Sequence, residues 1–292
     1  MPFLALLVVA TLAGLLAWRL AARWLPADAA DRAAREIREE VDESPWRRRL
    51  RARLDPDVAT GLALTAALVM IAIGGIVVGL LALLLRHSGT LVEADRWAAR
   101  WGNDHGTHLS KTGLTAVTTL GSSAAIAVMA TALAIVELRR IGNRWLIPFL
   151  LVVCLGDSAV TNLIKAAVDR ARPTFNPDAA TLGPSFPSGH SSQAAAFFAA
   201  AAFLLARRRS RRTRSLLVGF AVGLAVAVAC SRVLLDFHWV SDVIAGLTLG
   251  WAWFAICAIA FGSRLLERPA PASAPRAEPR ETPARSRSPL PR

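Results

Sequence analysis

Residues 58–85 read VATGLALTAALVMIAIGGIVVGLLALLL, 28 positions without one charged side chain. A helix needs about 20 apolar residues to cross the hydrocarbon core of a bilayer, so this stretch spans a membrane with length to spare. Residues 112–136 form a second uncharged run, 25 long. Working outward from these two, the apolar segments predict seven helices, at about 3–25, 58–85, 112–137, 145–165, 190–206, 215–235 and 239–261. The expected fold class is therefore all-α, a polytopic membrane helix bundle. Composition agrees: 54% of the residues are hydrophobic and 19% charged, with a mean hydropathy of +0.43, which excludes an ordinary soluble domain. The formal charge of +13, from 34 Lys and Arg against 21 Asp and Glu, first suggests a nucleic-acid binder.

The placement of the arginines speaks against that. Arg47, Arg48, Arg49, Arg51 and Arg53 precede the second span, Arg139, Arg140 and Arg144 join the third to the fourth, and Arg207 to Arg214 join the fifth to the sixth. The connections 86–111 and 166–189 hold nearly balanced acids and bases. By the positive-inside rule the Arg-rich connections are cytoplasmic, which leaves 86–111, 166–189 and 232–238 outside. Residues 1–25 read as an uncleaved transmembrane anchor. A cleaved signal peptide would leave the 47–53 cluster on the wrong face. Residues 26–57 read as a charged cytoplasmic connector with acids and bases at helical spacing, such as Asp31 and Arg35. Residues 58–262 form the six-helix membrane domain. From 263 to 292 the composition turns to Pro, Ala, Ser and Arg, a disordered cytoplasmic tail.

Three polar clusters fall at the ends of the later spans, all on the face assigned outside. Lys165 ends the fourth span and is followed by Arg172-Pro173, a K-x6-R-P pattern. Pro187-Ser188-Gly189-His190 opens the fifth. Ser231-Arg232 ends the sixth and His238 and Asp242 begin the seventh, giving S-R-x5-H-x3-D. Lys165, Arg172 and Arg232 have little acidic company, and three converging cations suit a phosphoryl group. Ser188 is a good helix N-cap and Gly189 admits close backbone approach, so the free amides there form an anion cradle. His238 and Asp242, four apart, share a helical face. The carboxylate orients one ring nitrogen and leaves the other unprotonated to attack phosphorus. His190 is the candidate acid for the leaving oxygen. Positive charge is supplied by side chains, so neither a metal nor another cofactor is expected.

These residues resemble the type 2 phosphatidic acid phosphatase family, also called lipid phosphate phosphatases, whose pattern consists of these three blocks in this order. The resemblance covers about residues 58–262 and implies phosphate binding by Lys165, Arg172, Ser188, Gly189 and Arg232, with His238 as nucleophile, Asp242 as its partner and His190 as acid. It departs from many relatives only at spacer positions: Asp236, Trp239 and Val240 stand where Gly, an aromatic and Pro are usual. Asp236, beside the cations, is a candidate for tuning substrate choice.

The implied activity is removal of phosphate from a lipid phosphate or diphosphate, of the phosphatidic acid, phosphatidylglycerol phosphate or polyprenyl diphosphate class, at the outer face of the cell membrane. The partners are then the bilayer and the lipid substrate, with no nucleic acid. Oligomeric state is left open. The alternatives are a lipid phosphotransferase, since another hydroxyl can replace water, and a non-catalytic scaffold or transporter, which the intact His190, His238 and Asp242 disfavour. Elsewhere, Cys154, Cys230 and Cys257 lie in apolar spans and read as packing residues. His87, His105 and His108 lack metal-ligand spacing. Trp97 and Trp101 read as part of an interfacial helix. Asp157 and Asn162 form an internal polar contact or support Lys165. Gly121, Gly246 and Gly250 fit close helix packing.

Overall fold

The computed structural model describes residues 2–24, 56–87, 89–207 and 209–266. The expected connector lies outside these residues up to position 55, and the expected tail from 267 onward. The helices in chain order are α1 (Pro2–Trp24), α2 (Pro56–His87), α3 (Gly89–Asp104), α4 (His108–Thr119), α5 (Ser123–Ile141) and α6 (Leu146–Leu151), then a π-helical turn (Val152–Gly156) leading into α7 (Asp157–Val168). They continue with the short α8 (Pro177–Ala180), then α9 (Gly189–Leu205), α10 (Arg211–Leu234) and α11 (Val240–Leu266). No strand occurs among the described residues. Among the described residues five segments are long and apolar enough to cross a membrane, and α4 with α5 makes a sixth if the bent pair is one span. The chain is an all-α membrane helix bundle.

All seven expected helices are present, with one correction. The span expected as a single helix over 112–137 is two helices meeting at 50°. The break lies at Leu120-Gly121-Ser122, where three successive amides bond three residues back instead of four, Leu120 N to Val117 O, Gly121 N to Thr118 O and Ser122 N to Thr119 O. Ser122 then restarts the helix as an N-cap, its hydroxyl accepting from Ala125 N at 3.3 Å. Tertiary packing sets the position of the bend. A Cβ on Gly121 would lie 2.5 Å from Val228 Cγ1 and 3.0 Å from His190 O, so the turn presses directly onto α9 and α10.

The helix running from Leu146 to Val168 is continuous but loosens at its π-turn. There Trp253 of α11 packs against Gly156, and its indole Nε1 donates to the Val152 carbonyl at 3.1 Å. A side chain from a neighbouring helix thus takes up a carbonyl near the widened turn.

α9 is the centre of the bundle. From Ala194 on its residues are apolar on every side, and Ala194 to Phe198, Ala200, Ala202 and Leu204 are all buried. α11 lies along it with almost no side chain between the backbones. A Cβ on Gly246 would sit 2.5 Å from Ser188 O, and one on Gly250 would run into Ser192 O. α1 meets α10 in the same manner, since a Cβ on Gly14 would fall 2.8 Å from Gly219 O. Without a hydrophobic force to drive association in lipid, such small-residue contacts hold helices through dispersion. α3 is the helix expected from Trp97 and Trp101 in the connection 86–111. It leaves Trp97 exposed, turns Asp95, Ala99 and Gly102 inward, and rests Gly102 against the end of α10 at Leu234.

Gly250→Ala is expected to lower the melting temperature of the detergent-solubilised protein, because overpacking costs about 1–3 kcal/mol. Gly75→Ala, at a position with nothing within 4 Å, is expected to leave it unchanged or raise it. Equal melting temperatures for the two variants would contradict the close α9–α11 contact.

Candidate active site

The three polar blocks meet at one end of the bundle, at the C-termini of α7 and α10 and the N-termini of α9 and α11. Lys165 is in the last turn of α7. Asp169 closes that helix in the left-handed region (φ 47°), its amide bonding Lys165 O at 3.0 Å. The chain after it folds back, and the two cations of the first block fasten it. Lys165 Nζ donates to Pro184 O at 2.6 Å, while Arg172 donates from Nε to Gly183 O at 2.8 Å and from Nη2 to Pro184 O at 3.2 Å. Arg172 Nη1 reaches across to Phe237 O at 2.8 Å and to His238 Nε2 at 3.2 Å. Burial holds the Arg172 guanidinium below its ordinary pKa, opposed by the Asp242 charge. Beside it an open groove of about 460 Å3 follows residues 169–174, Gly183 and Pro184.

The second block forms the helix start that its sequence predicts. Ser188 is the N-cap of α9, with its hydroxyl accepting from Ser191 N at 3.4 Å and from Ser191 Oγ at 2.9 Å. Ser188 N donates to Asp242 O at 3.0 Å, which ties the cradle to the first turn of α11. A Cβ on Gly189 would meet only Thr161 Cγ2 at an ordinary 3.7 Å, so the protein leaves that side of the cradle open. His190 makes no side-chain hydrogen bond to the described residues. It lies close enough to Arg232, His238, Arg172 and Lys165 to feel all of their charges.

In the third block, Arg232 is 5% exposed and lies over the Phe237 ring, Cζ to centroid 4.0 Å. Its Nη1 donates to Thr118 Oγ1 at 3.3 Å, and its Nε has no acceptor among the described residues. A buried guanidinium with an orphaned donor is suited to receive an anion. His238 is 2% exposed, with Nδ1 3.4 Å from Asp242 Oδ2. Asp242 Oδ2 also accepts from Trp239 N at 3.0 Å. Burial pushes the His238 pKa down to about 4 against the pull of Asp242, so near neutral pH its ring is uncharged, with Nε2 as the acceptor facing Arg172. Every expected site residue therefore lies in one neighbourhood. Among the described residues no three His, Cys, Asp or Glu side chains group as a metal site.

Other residues fall differently. Asp157 takes a hydrogen bond from Ser192 Oγ at 2.6 Å, joining α7 to α9, and Lys165 bonds Pro184 O instead. His105 stacks on Trp101. Cys257 belongs to the main core. Two charged residues that the sequence reading passed over enter the site: Arg170, within the x6 spacer, and Asp95 of α3. Arg170 donates to Asp242 Oδ1 at 2.6 Å and to Asp95 Oδ2 at 2.8 Å. Nothing in the spacing of Arg170 marked it, because its partners come from two distant segments.

Residues 145–265 match the PAP2 superfamily. The chain is 31% identical over 107 residues to phosphatidylglycerophosphatase B of Bacillus subtilis (strain 168), a match covering 36% of this chain and 53% of the relative. To a lipid A 1-phosphatase of Rhizobium johnstonii it is 35% identical over 122 residues, covering 38% of this chain and 46% of the relative. The chain thus spans about half the length of the curated relatives it matches. In fold it is similar to the crystal structure of a transmembrane PAP2 type phosphatidylglycerolphosphate phosphatase from Bacillus subtilis. There the TM-score is 0.60 at 24% identity, over 69% of this chain and 96% of the other.

Asp236, in the loop leading to His238, explains one departure from the family pattern. Its φ of +57° is the left-handed conformation that favours glycine, the residue usual there in relatives, and costs another residue about 1 kcal/mol. It is also 4% exposed with Oδ1 unpartnered, and burial raises its pKa to about 7, opposed by Lys111. Between pH about 4 and 7 the unfolded chain releases a proton that the folded chain keeps, so this residue lowers stability as pH rises through that window. Asp236→Gly should therefore raise the melting temperature, and by more at pH 8 than at pH 5. A gain equal at both values would show that the carboxyl does not titrate in this window.

Proposed function

We propose that this chain is a membrane phosphatase that hydrolyses a lipid phosphate or diphosphate, of the phosphatidic acid, phosphatidylglycerol phosphate or polyprenyl diphosphate class, through a phosphohistidine on His238. The observation that carries the reading is the histidine itself: Nδ1 is directed to Asp242, and Nε2, the acceptor, faces the cation cluster. The phosphate would lie between Lys165, Arg172, Arg232 and the amides of the Ser188–Gly189 cradle, and the orphaned Nε of Arg232 supplies a donor. Arg172 Nη1 donates to His238 Nε2 at 3.2 Å. A phosphate oxygen competes for that donor, and in doing so frees the nitrogen lone pair for attack.

Attack forms the N–P bond as the bond to the leaving oxygen breaks. The negative charge of the bound phosphate balances the cations around His190, so His190 carries a proton and delivers it to that oxygen. Asp242 meanwhile holds the Nδ1 proton and offsets the positive charge that develops on the ring. Water then attacks phosphorus with His190 as base, releasing phosphate and restoring His238. The lipid chains stay in the bilayer beside the helices. Positive side chains carry the charge neutralisation, so the reaction proceeds without a divalent metal.

The functional unit in this reading is residues 58–262, with the anchor, connector and tail outside it. The active end lies on the extracytoplasmic side and the tail in the cytoplasm, supported by Arg139, Arg140, Arg144 and the 207–214 arginines at the opposite ends of the helices. The open groove beside Arg172 also suits a second alcohol, which keeps phosphotransfer as the alternative.

Purified protein with chelator present is expected to release phosphate from at least one of phosphatidic acid, phosphatidylglycerol phosphate and polyprenyl diphosphate. His238→Ala should lose activity by about 10^3-fold or more. Substrate labelled in the phosphate should give a phosphoprotein stable in alkali and lost in acid, absent from His238→Ala. Equal release by both proteins would overturn the mechanism, and loss of activity with chelator alone would overturn metal independence. A labelled phosphoester in place of free phosphate would identify the transferase.

A further inference from the structure

Arg170 lies between Lys165 and Arg172 in sequence, but its guanidinium serves carboxylates. Nη1 donates to Asp242 Oδ1 at 2.6 Å and to Ser241 Oγ at 2.7 Å, and Nη2 donates to Asp95 Oδ2 at 2.8 Å. Asp95, 2% exposed on α3, accepts from Ser241 N at 3.0 Å through Oδ1 and from Ser241 Oγ through Oδ2. The Trp239 ring centroid lies 5.4 Å from Arg170 Cζ, and the Trp239 indole donates to Ala171 O at 2.9 Å. One guanidinium thereby joins three separate pieces of chain: α3, the segment after α7, and the first turn of α11.

The geometry points to Arg170, held by Asp95, as a positioning residue for the reaction: it fixes the Asp242 carboxylate so that Oδ2 faces His238 Nδ1. This rests on the reading of His238 as nucleophile. A carboxylate rotates easily about its last bond, and its contact with His238, at 3.4 Å, is too long to hold it. Its shortest contact is the charge-assisted one to Arg170, on the opposite oxygen. Anchoring Oδ1 turns Oδ2 toward Nδ1 and the Trp239 amide. Only a planar fork can reach two carboxylates on different nitrogens while its plane stays fixed, so Lys is a poor substitute. The charge count agrees. Arg170 with Asp95 and Asp242 sums to −1, and that remaining negative charge lies beside the ring that becomes positive as the N–P bond forms.

The guanidinium of Arg170 is taken up by Asp242, Ser241 and Asp95, so its loss is expected in kcat and not in KM. Arg170→Gln should lower kcat by about 10^2-fold with KM within about threefold, as expected when an orienting group is lost. Arg170→Lys should recover part of the loss. Asp95→Asn should give a smaller decrease, and the Asp95→Asn/Arg170→Gln double variant should be no worse than Arg170→Gln alone, since the two act as one unit.

A second readout needs no substrate. The chain has five histidines, so 15N-histidine NMR of the full-length protein in detergent resolves them, with His238 assigned through His238→Ala. Wild type should show His238 with its proton on Nδ1, shifted downfield by the contact with Asp242. Arg170→Gln should lose that shift and Arg170→Lys should keep part of it, each in protein whose melting temperature shows that it is folded. An unchanged His238 spectrum in Arg170→Gln, or a kcat within about threefold of wild type, would overturn the proposal. If His238→Ala releases phosphate as wild type does, the nucleophile reading fails, and the spectrum alone still decides whether Arg170 orients the pair.

Discussion

The site depends on the approach of two helices without side chains between them. α9 and α11 touch backbone to backbone where Gly246 and Gly250 lie against Ser188 and Ser192. Ser188 N then reaches Asp242 O. This one contact sets the distance between the anion cradle at the start of α9 and the His238–Asp242 pair at the start of α11. A side chain at either glycine would separate them by more than a hydrogen bond tolerates. Dispersion between small residues is also the available adhesive in lipid, where burying leucine gains little. The same contact therefore holds the bundle together and aligns the chemistry.

Around that contact the charges divide by partner. Lys165, Arg172 and Arg232 find carbonyls, a hydroxyl and an aromatic ring, none of which neutralises them. Arg170 finds two carboxylates. Unneutralised cations at the membrane end of a bundle are costly unless an anion visits them, while a cation between two acids is structural. Four basic residues that look alike in composition thus separate into three that meet no carboxylate and one that braces two.

Much of this was legible in the sequence because it is local. A helix is marked by an uncharged run longer than the bilayer is thick, and an N-cap by Ser188 ahead of Gly189. The pairing of His238 with Asp242 follows from a spacing of four, although the expected shared helical face is not what forms it: His238 lies in the bend before α11, and Asp242 reaches back to it from the first turn. The three blocks, in order, resembled one family, and the match over residues 145–265 agrees with that resemblance. Other features were not legible. The bend at Gly121 arises because α9 and α10 press on it. Asp236 occupies a glycine conformation that only the folded loop imposes. Asp95 belongs to no motif, and its partners Arg170 and Ser241 come from distant segments.

By itself the sequence determined that this is a polytopic helical membrane protein, roughly where its apolar helices fall, and which polar residues gather at their ends. Those properties follow from hydrophobicity and from the fixed rise and twist of a helix, which act over a few residues at a time. The tertiary structure decided that Arg170 faces Asp242 and Asp95 while Arg172 faces His238, and that Arg232 keeps a donor without a partner. Two arginines separated by one alanine have the same chemistry. Only the positions of α3 and α11 around them, fixed by packing between segments more than seventy residues apart, give them different neighbours.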